Sequence, residues 1–132
     1  MTDLVLDASV AAIAVSDSGG KGDAVRERIA GAVVHAPHLV DAEVGSVLRK
    51  TTAARLITPE QAAGALRILA HLVTERYPHG PLTLPAWRLR HDLSFYDALY
   101  VALAARLRLP LITADIRLAH APSLPCDIEV IR

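Results

Sequence analysis

Short apolar runs alternate along the chain with longer segments in which apolar residues recur at helical spacing. The short runs predict five strands: "LVL" (4–6), "AVVHA" (32–36), "LTL" (82–84), "LPLIT" (109–113) and "IEVI" (128–131). The segments between the strands predict helices. This order of elements is typical of an α/β domain with a mostly parallel sheet.

Capping and turn residues mark where the helices begin. "TPEQ" (58–61) is a strong start, because Thr58 can cap, Pro59 suits the first helical position and Gln61 completes a capping box. Ser94 caps a later helix. The predicted helices run from Ser9 or Val10 to Val15, over 24–32, from Pro37 to about Thr52, over 62–76 and 85–92, and within 93–107.

The segment "SDSGGKGD" (16–23) contains three glycines and no apolar residue. Such a composition predicts a mobile surface loop. No repeat, low-complexity tract or second domain is evident, and we expect one domain over residues 1–132.

Composition narrows the function classes. The chain is 52% hydrophobic but only 4% aromatic, which predicts a full, aliphatic core. Fourteen basic residues balance fourteen acidic ones, so any nucleic-acid site is a local patch. With Cys126 as the lone cysteine, no signal-peptide pattern and no apolar run long enough for a membrane span, we expect a cytoplasmic protein.

Four acids fall where the predicted sheet would place a ligand site. Asp7 directly follows the first strand, and Asp115 follows the strand 109–113 after one residue. Asp97 lies in the first turn of the helix that Ser94 caps, and Glu43 lies early in the helix after strand 32–36. Because ligand sites of open α/β sheets lie beyond the carboxyl ends of the strands, all four are expected at one edge.

Each acid also has an ordinary structural explanation. Asp7 suits a helix cap, Asp97 a capping box with Ser94, and Asp115 a turn before a short helix. Glu43 is explained least well, since Asp41 is the better cap candidate. Glu43 lies beside an apolar stripe that should pack on the core, formed by Val40, Val44, Val47 and Leu48.

Taken together, the acids predict a cation site. Four converging carboxylates repel one another and raise each other's pKa values unless a divalent ion binds among them. Oxygen ligands favour Mg²⁺ or Mn²⁺, and the six histidines (35, 38, 71, 79, 91 and 120) form no i, i+4 pair within a helix that would indicate zinc. Such ions activate water and stabilise a pentacoordinate phosphate, which is the chemistry of a metal-dependent nuclease.

Several stretches resemble PIN-domain proteins, and within them the VapC toxins of bacterial toxin–antitoxin pairs. The matching stretches, which follow one another in the same order over essentially the whole chain, are "VLDASVA" (5–11), "PHLVDAEVGSVLRK" (37–50), "FYDALYVALAARLRLPLITAD" (95–115) and the closing strand. Of these, "YDALYVALA" followed by "LITAD" is the most specific.

This resemblance implies a three-layer α/β/α fold and a Mg²⁺- or Mn²⁺-dependent endoribonuclease. It implies that Asp7, Glu43, Asp97 and Asp115 are the catalytic and metal-binding acids, with Ser9 and Thr113 as secondary site residues. Metal-activated water would leave 5′-phosphate and 3′-hydroxyl ends. The implied partners are an RNA substrate such as tRNA or rRNA, a second copy of the chain, and a VapB-type antitoxin that blocks the site.

Basic residues near the acids are candidates for holding the RNA backbone. They are Arg49, Lys50, Arg88, Arg90 and Arg117, although an ordinary solvated helix face is the simpler explanation for any one of them. Asp92 is a further acid near the site in sequence, and we expect it on a helix surface.

Three other functions compete with the nuclease. A non-catalytic PIN-like module would bind RNA or protein without turnover. A phosphoacceptor receiver domain would need paired acids after the first strand and a late lysine, whereas the lysines are Lys21 and Lys50. A small-molecule hydrolase would need a G-x-S-x-G turn, which the chain lacks.

Overall fold

The computed structural model describes residues 2–132 and contains a five-stranded sheet in which every neighbouring pair is parallel. The strand order is β3-β2-β1-β4-β5, which places β1 at the centre. The strands are β1 Asp3–Leu6, β2 Val33–Pro37, β3 Glu75–Tyr77, β4 Leu111–Thr113 and β5 Ile128–Val130. The sheet confirms the α/β prediction.

Helices flank the sheet and complete the three-layer α/β/α arrangement. They are α1 Ala8–Ser16, α2 Gly20–Ile29, α3 Leu39–Ala53, α4 Pro59–Leu72, α5 Thr83–Trp87, α6 Phe95–Leu107 and α7 Ile116–Ala119, with a 3-10 turn at Gly80–Leu82. In the part of the chain from residue 2 to residue 132, no helix has the length and apolar character that crossing a membrane requires.

The core is built around the central strand and the helix that carries Asp97. Leu4, Val5 and Leu6 of β1 are fully buried. In α6, every residue from Ala98 to Ala104 is buried, so this helix packs on more than one side. The core is aliphatic as predicted, and Tyr100 is its largest fully buried side chain.

The helix caps at Thr58 and Ser94 are confirmed. The Thr58 hydroxyl accepts the Gln61 N–H at 3.1 Å, and the Gln61 side chain accepts the Thr58 N–H at 2.9 Å. The Ser94 hydroxyl accepts the Asp97 N–H at 3.1 Å. These bonds satisfy amide groups that have no partner within the first turn of a helix.

The predicted loop at 16–23 is wrong in its second half, because α2 already begins at Gly20. Asp17 anchors this turn: its carboxylate accepts the N–H groups of Gly19 at 2.8 Å and Gly22 at 3.1 Å. The Arg26 guanidinium donates to the Asp17 carbonyl at 2.7 Å. Bonds of the Asp17 carboxylate within the segment and of Arg26 from outside it therefore fix a helix start that the glycine-rich composition does not indicate.

The region 73–87 also differs from prediction. The helix predicted through Arg76 ends at Leu72, and Glu75–Tyr77 forms β3. Arg76 bonds the Asp41 carboxylate at 2.7 and 2.9 Å, so β3 is fixed by a contact 35 residues away in sequence. The predicted strand "LTL" (82–84) is instead helical.

The start of α3 is a further correction. Pro37 is the last residue of β2 rather than part of the first turn of α3. Asp41 pairs with Arg76 and does not cap α3, whose N-cap position makes no side-chain bond. The stripe beside Glu43 is buried at Val40, Val44 and Leu48, whereas Val47 is 40% exposed.

Two glycines of α2 provide a matched test of this helix start. A Cβ at Gly22 would lie 2.0 Å from the Asp17 carbonyl oxygen, whereas a Cβ at Gly20 would meet no atom within 4 Å. We expect Gly22→Ala to lower the free energy of unfolding by about 1–3 kcal/mol, as overpacking does. Gly20→Ala should be neutral or stabilising, since alanine favours helix. Urea unfolding of both variants checks this, and equal effects would contradict the described packing.

Candidate active site

Asp7 lies just beyond the end of β1, caps α1 and is only 7% exposed. One carboxylate oxygen accepts the Ser9 hydroxyl at 2.6 Å and the Val10 N–H at 3.1 Å. The other accepts the Thr113 hydroxyl of β4 at 2.5 Å. The structure thus places Ser9 and Thr113 directly on Asp7, and all three bonds support a buried negative charge.

The same hydroxyls also hold the segment that follows β4. The Ser9 oxygen accepts the Ala114 N–H at 3.1 Å, and the Thr113 oxygen accepts the Asp115 N–H at 3.0 Å. Each hydroxyl therefore donates to Asp7 and accepts from the β4–α7 connection. Asp7 and the backbone of Asp115 are positioned by one hydrogen-bond network.

Glu43 lies in α3 and is bonded to a tyrosine from α6. Its Oε1 atom accepts the Tyr100 hydroxyl at 2.7 Å, and Tyr100 is 1% exposed. Burial and the neighbouring Glu43 carboxylate raise the pKa of the Tyr100 phenol above its ordinary value, so the phenol remains a donor. Sequence reasoning missed Tyr100. Its signal is the i, i+3 spacing from Asp97, which puts both residues on one side of α6.

Asp97 and Asp115 occupy the starts of two helices. Asp97 is partly buried in the first turn of α6. Asp115 caps α7, and the Arg117 guanidinium donates two hydrogen bonds to its carboxylate, at 3.0 and 2.8 Å. This contact lowers the pKa of the Asp115 carboxyl below its ordinary value.

One surface cleft of about 470 Å³ brings the four acids together. Its lining includes Asp7, Ser9, Glu43, Val47, Lys50, Tyr96, Asp97, Tyr100 and Asp115. An adjoining cleft of about 430 Å³ shares Asp97 and Asp115 and adds Asp92 and Arg117. The two clefts therefore form one groove that passes over the acids.

Only two of the five basic candidates reach this groove. Lys50 lines the first cleft and Arg117 the second, whereas Arg49, Arg88 and Arg90 line neither. The Arg90 guanidinium instead lies 4.8 Å from the centre of the Trp87 ring. Asp92 lies in the turn between α5 and α6 rather than on a helix surface, which corrects its predicted place.

The groove concentrates negative charge that the described residues do not neutralise. Burial raises the pKa values of Asp7, Glu43 and Asp97 above their ordinary values. Repulsion from Asp97 adds to the effect at Asp7 and Glu43, and repulsion from Asp115 adds to it at Asp97. Within residues 2–132, no Lys, Arg or His forms an ion pair with any of these three. A divalent cation would relieve this repulsion.

The donor set has the chemistry of a Mg²⁺ or Mn²⁺ site, since all four acids offer hard oxygen ligands. Its geometry is not that of a closed cage: over residues 2–132, no three His, Cys, Asp or Glu side chains converge closely enough to hold an ion. Glu43 is bonded to Tyr100 and Asp115 to Arg117. The cleft therefore presents the right ligands with two of them engaged by neighbours.

Comparison with known proteins gives a consistent result. The model of the family described as PIN domain matches residues 4–124. Ribonuclease VapC1 of Mycobacterium tuberculosis (strain H37Rv) is 45% identical over 133 residues, covering 100% of each chain.

Two solved structures share the fold. VapBC2 from Rickettsia felis, bound to a DNA fragment from its promoter, superposes with a TM-score of 0.72 at 17% identity and covers 98% of each chain. M. tuberculosis VapC20, described as a sarcin–ricin loop cleaving toxin, superposes with a TM-score of 0.64 at 21% identity and covers 82% of this chain and 86% of its own.

Burial of Asp7 has a consequence for stability that depends on pH. The folded carboxyl binds its proton more tightly than the unfolded one, because burial raises its pKa above 3.8. The free energy of unfolding therefore falls as pH rises from the unfolded pKa through the raised folded pKa. Asp7→Asn keeps a side chain that can cap α1, and the asparagine side chain does not ionise. We expect it to be more stable than the parent at pH 7, with the difference shrinking towards pH 4.

Urea unfolding between pH 4 and pH 8 in EDTA measures this difference. Asp127→Asn, at an exposed position, is the matched control and should follow the parent at every pH. An Asp7→Asn variant whose stability relative to the parent declines as pH rises would contradict the expectation.

Proposed function

Because this chain belongs to the PIN-domain family, and within it to the VapC ribonucleases, we propose that it is a Mg²⁺- or Mn²⁺-dependent endoribonuclease toxin restrained by a VapB-type antitoxin. The observation that carries the proposal is the convergence of Asp7, Glu43, Asp97 and Asp115 on one cleft. These carboxylates are far apart in sequence but line the same cleft, and three of them form no ion pair with a Lys, Arg or His within residues 2–132.

The four acids are the proposed metal-binding residues. When bound, the ion activates water and stabilises the negative charge that develops on a phosphodiester. Ser9 and Thr113 fix the orientation of the Asp7 carboxylate, and Tyr100 fixes that of Glu43. These hydroxyls are positioning groups, because each touches an acid and is bonded to it in advance.

Arg117 has a double role in this proposal. Its guanidinium is largely exposed and donates two hydrogen bonds to the Asp115 carboxylate. An RNA phosphate competes for the same guanidinium with equivalent bidentate geometry. Arrival of the substrate therefore releases the Asp115 carboxylate towards the cleft while Arg117 holds the RNA.

The partners follow from the relatives. R. felis VapBC2 was solved as an assembly, which supports a VapB-type antitoxin for this chain. We propose that it blocks the cleft of the four acids, and that a second cleft, which shares no lining residue with the first and is lined by residues that include Val15, Asp17, Leu56, Ile57 and Ile68, gives it a further surface. Leu56 is 76% exposed and Ile68 53% exposed. We further propose a single domain, a homodimer and a cytoplasmic location.

Cleavage of total RNA by the purified chain tests the nuclease. We expect fragments with Mg²⁺ or Mn²⁺, none with EDTA, and a fall to the EDTA level in Asp97→Asn, because asparagine keeps the backbone N–H that the Ser94 hydroxyl accepts but ligates a cation poorly. Ser94→Ala is the matched control. It removes the cap, costs about 1 kcal/mol of stability, and leaves the carboxylates in place, so cleavage should persist.

The outcome that would contradict the nuclease is absence of cleavage by a folded chain free of antitoxin on every RNA supplied. A non-catalytic binding module would then be favoured. Loss of cleavage in Ser94→Ala to the same extent as in Asp97→Asn would show that cleavage depends on the start of α6 and not specifically on the Asp97 carboxylate.

Neighbouring residues of α3 test how the RNA backbone is held. Lys50 lines the cleft and Arg49 does not, although both are exposed. In an Asp97→Asn background, Lys50→Gln should weaken RNA binding and reduce the slope of log K against log salt by about 0.7, the share of one phosphate contact on a single strand. Arg49→Gln should leave both unchanged. Fluorescence anisotropy over a salt series measures this, and identical behaviour of the two variants would remove Lys50 from the interface.

A further inference from the structure

The chain places an exposed aromatic ring at its acidic groove although aromatic residues are scarce in it. It has one Phe, one Trp and three Tyr. Tyr96 directly precedes Asp97 in the first turn of α6, is 60% exposed, and lines the cleft of the four acids. Its neighbour Phe95 is also exposed, at 41%, but does not line this cleft.

Tyr96 belongs to an apolar wall of the cleft. Val47, which is 40% exposed, and Leu39 line the same cleft, and Lys50 lies one helical turn beyond Val47 along α3. The metal chemistry of the acids requires no apolar surface. Core packing does not explain an aromatic ring that keeps more than half of its surface in solvent.

The groove has a cation on each side of the acids. Lys50 lines one cleft, Arg117 lines the other, and Asp97 and Asp115 line both. A nucleic-acid strand lying along the groove would meet one cation on either side of the phosphodiester above the carboxylates. The base next to that phosphodiester would lie beside Val47 and the Tyr96 ring.

We propose that Tyr96 stacks on the substrate base next to the phosphodiester above the carboxylates, and that this stack contributes to the affinity for RNA. This inference rests on the proposed ribonuclease function. In A-form RNA the bases are stacked within the helix, and their faces are not available to a side chain. Aromatic platforms beside cationic groups are how proteins bind unpaired strands without strong sequence preference.

A second copy of the chain is the rival occupant of this wall. The charge around the ring favours RNA, because charged residues are depleted at the core of protein interfaces. Here Glu43, Lys50 and Asp97 line the same cleft as Tyr96. A protein partner would have to bury these charges. An RNA strand would instead place its phosphates near Lys50, and a bound divalent ion would neutralise the acids.

The test compares binding of a short unpaired RNA oligonucleotide and a duplex of equal length. Affinities are measured by fluorescence anisotropy in the Asp97→Asn background with Mg²⁺ present, which separates binding from turnover. Tyr96→Ala should weaken binding of the unpaired RNA by about 5- to 150-fold, the effect of losing one base–aromatic stack. Tyr96→Phe should retain the affinity, because its ring can still stack. Phe95→Ala is the matched control and should bind as the parent does.

Two outcomes would overturn the inference alone. One is an unchanged affinity of Tyr96→Ala for unpaired RNA while the parent chain binds and cleaves RNA. The other is conversion of a dimer to a monomer by Tyr96→Ala in size-exclusion chromatography with light scattering, which would assign the ring to an interface between copies. If the parent itself neither binds nor cleaves RNA, the proposed function fails with the inference.

Discussion

A buried carboxylate at the end of the central strand is the constraint on which the arrangement of this protein depends. Asp7 is nearly enclosed, so its charge must be supported by donors drawn from nearby elements. Ser9 and Val10 come from α1 and Thr113 from β4. Because the two hydroxyls also accept the amides of residues 114 and 115, the bonds that solvate one charge place a second acid.

The parallel sheet makes this shared hydrogen-bond network possible. Pairing of β1 with β4 brings Asp7 and Thr113 to one edge although 106 residues separate them. The helices then add the remaining acids: α3 carries Glu43 and α6 carries Asp97, and the Tyr100–Glu43 bond joins the two helices directly. The strand ends and helices thus place in one groove carboxylates that repel one another.

Local signals in the sequence predicted much of this, and distant contacts account for what they missed. Caps at Thr58 and Ser94 act within one turn, so their residue types suffice. β3 is stabilised by Arg76 bonding Asp41, which no local pattern indicates. In the sequence, Tyr100 looks like an ordinary core residue. Its role becomes visible only in the structure, where its hydroxyl donates to Glu43. Whether Lys50 or Arg49 faces the cleft depends on how α3 is rotated about its axis. The packing of the helix sets that rotation, and the composition of the sequence does not reveal it.

The acids at positions 7, 43, 97 and 115 have a consequence for the order in which the molecule becomes complete. Synthesis proceeds from the N-terminus, and the early part of the chain can fold before the late part exists. Until β4 has been made and has paired with β1, Asp7 lacks the Thr113 hydroxyl and the groove lacks the Asp115 carboxylate. At an earlier stage of synthesis Asp97 is missing as well. A nascent chain therefore has no complete four-acid groove until β4 has paired with β1.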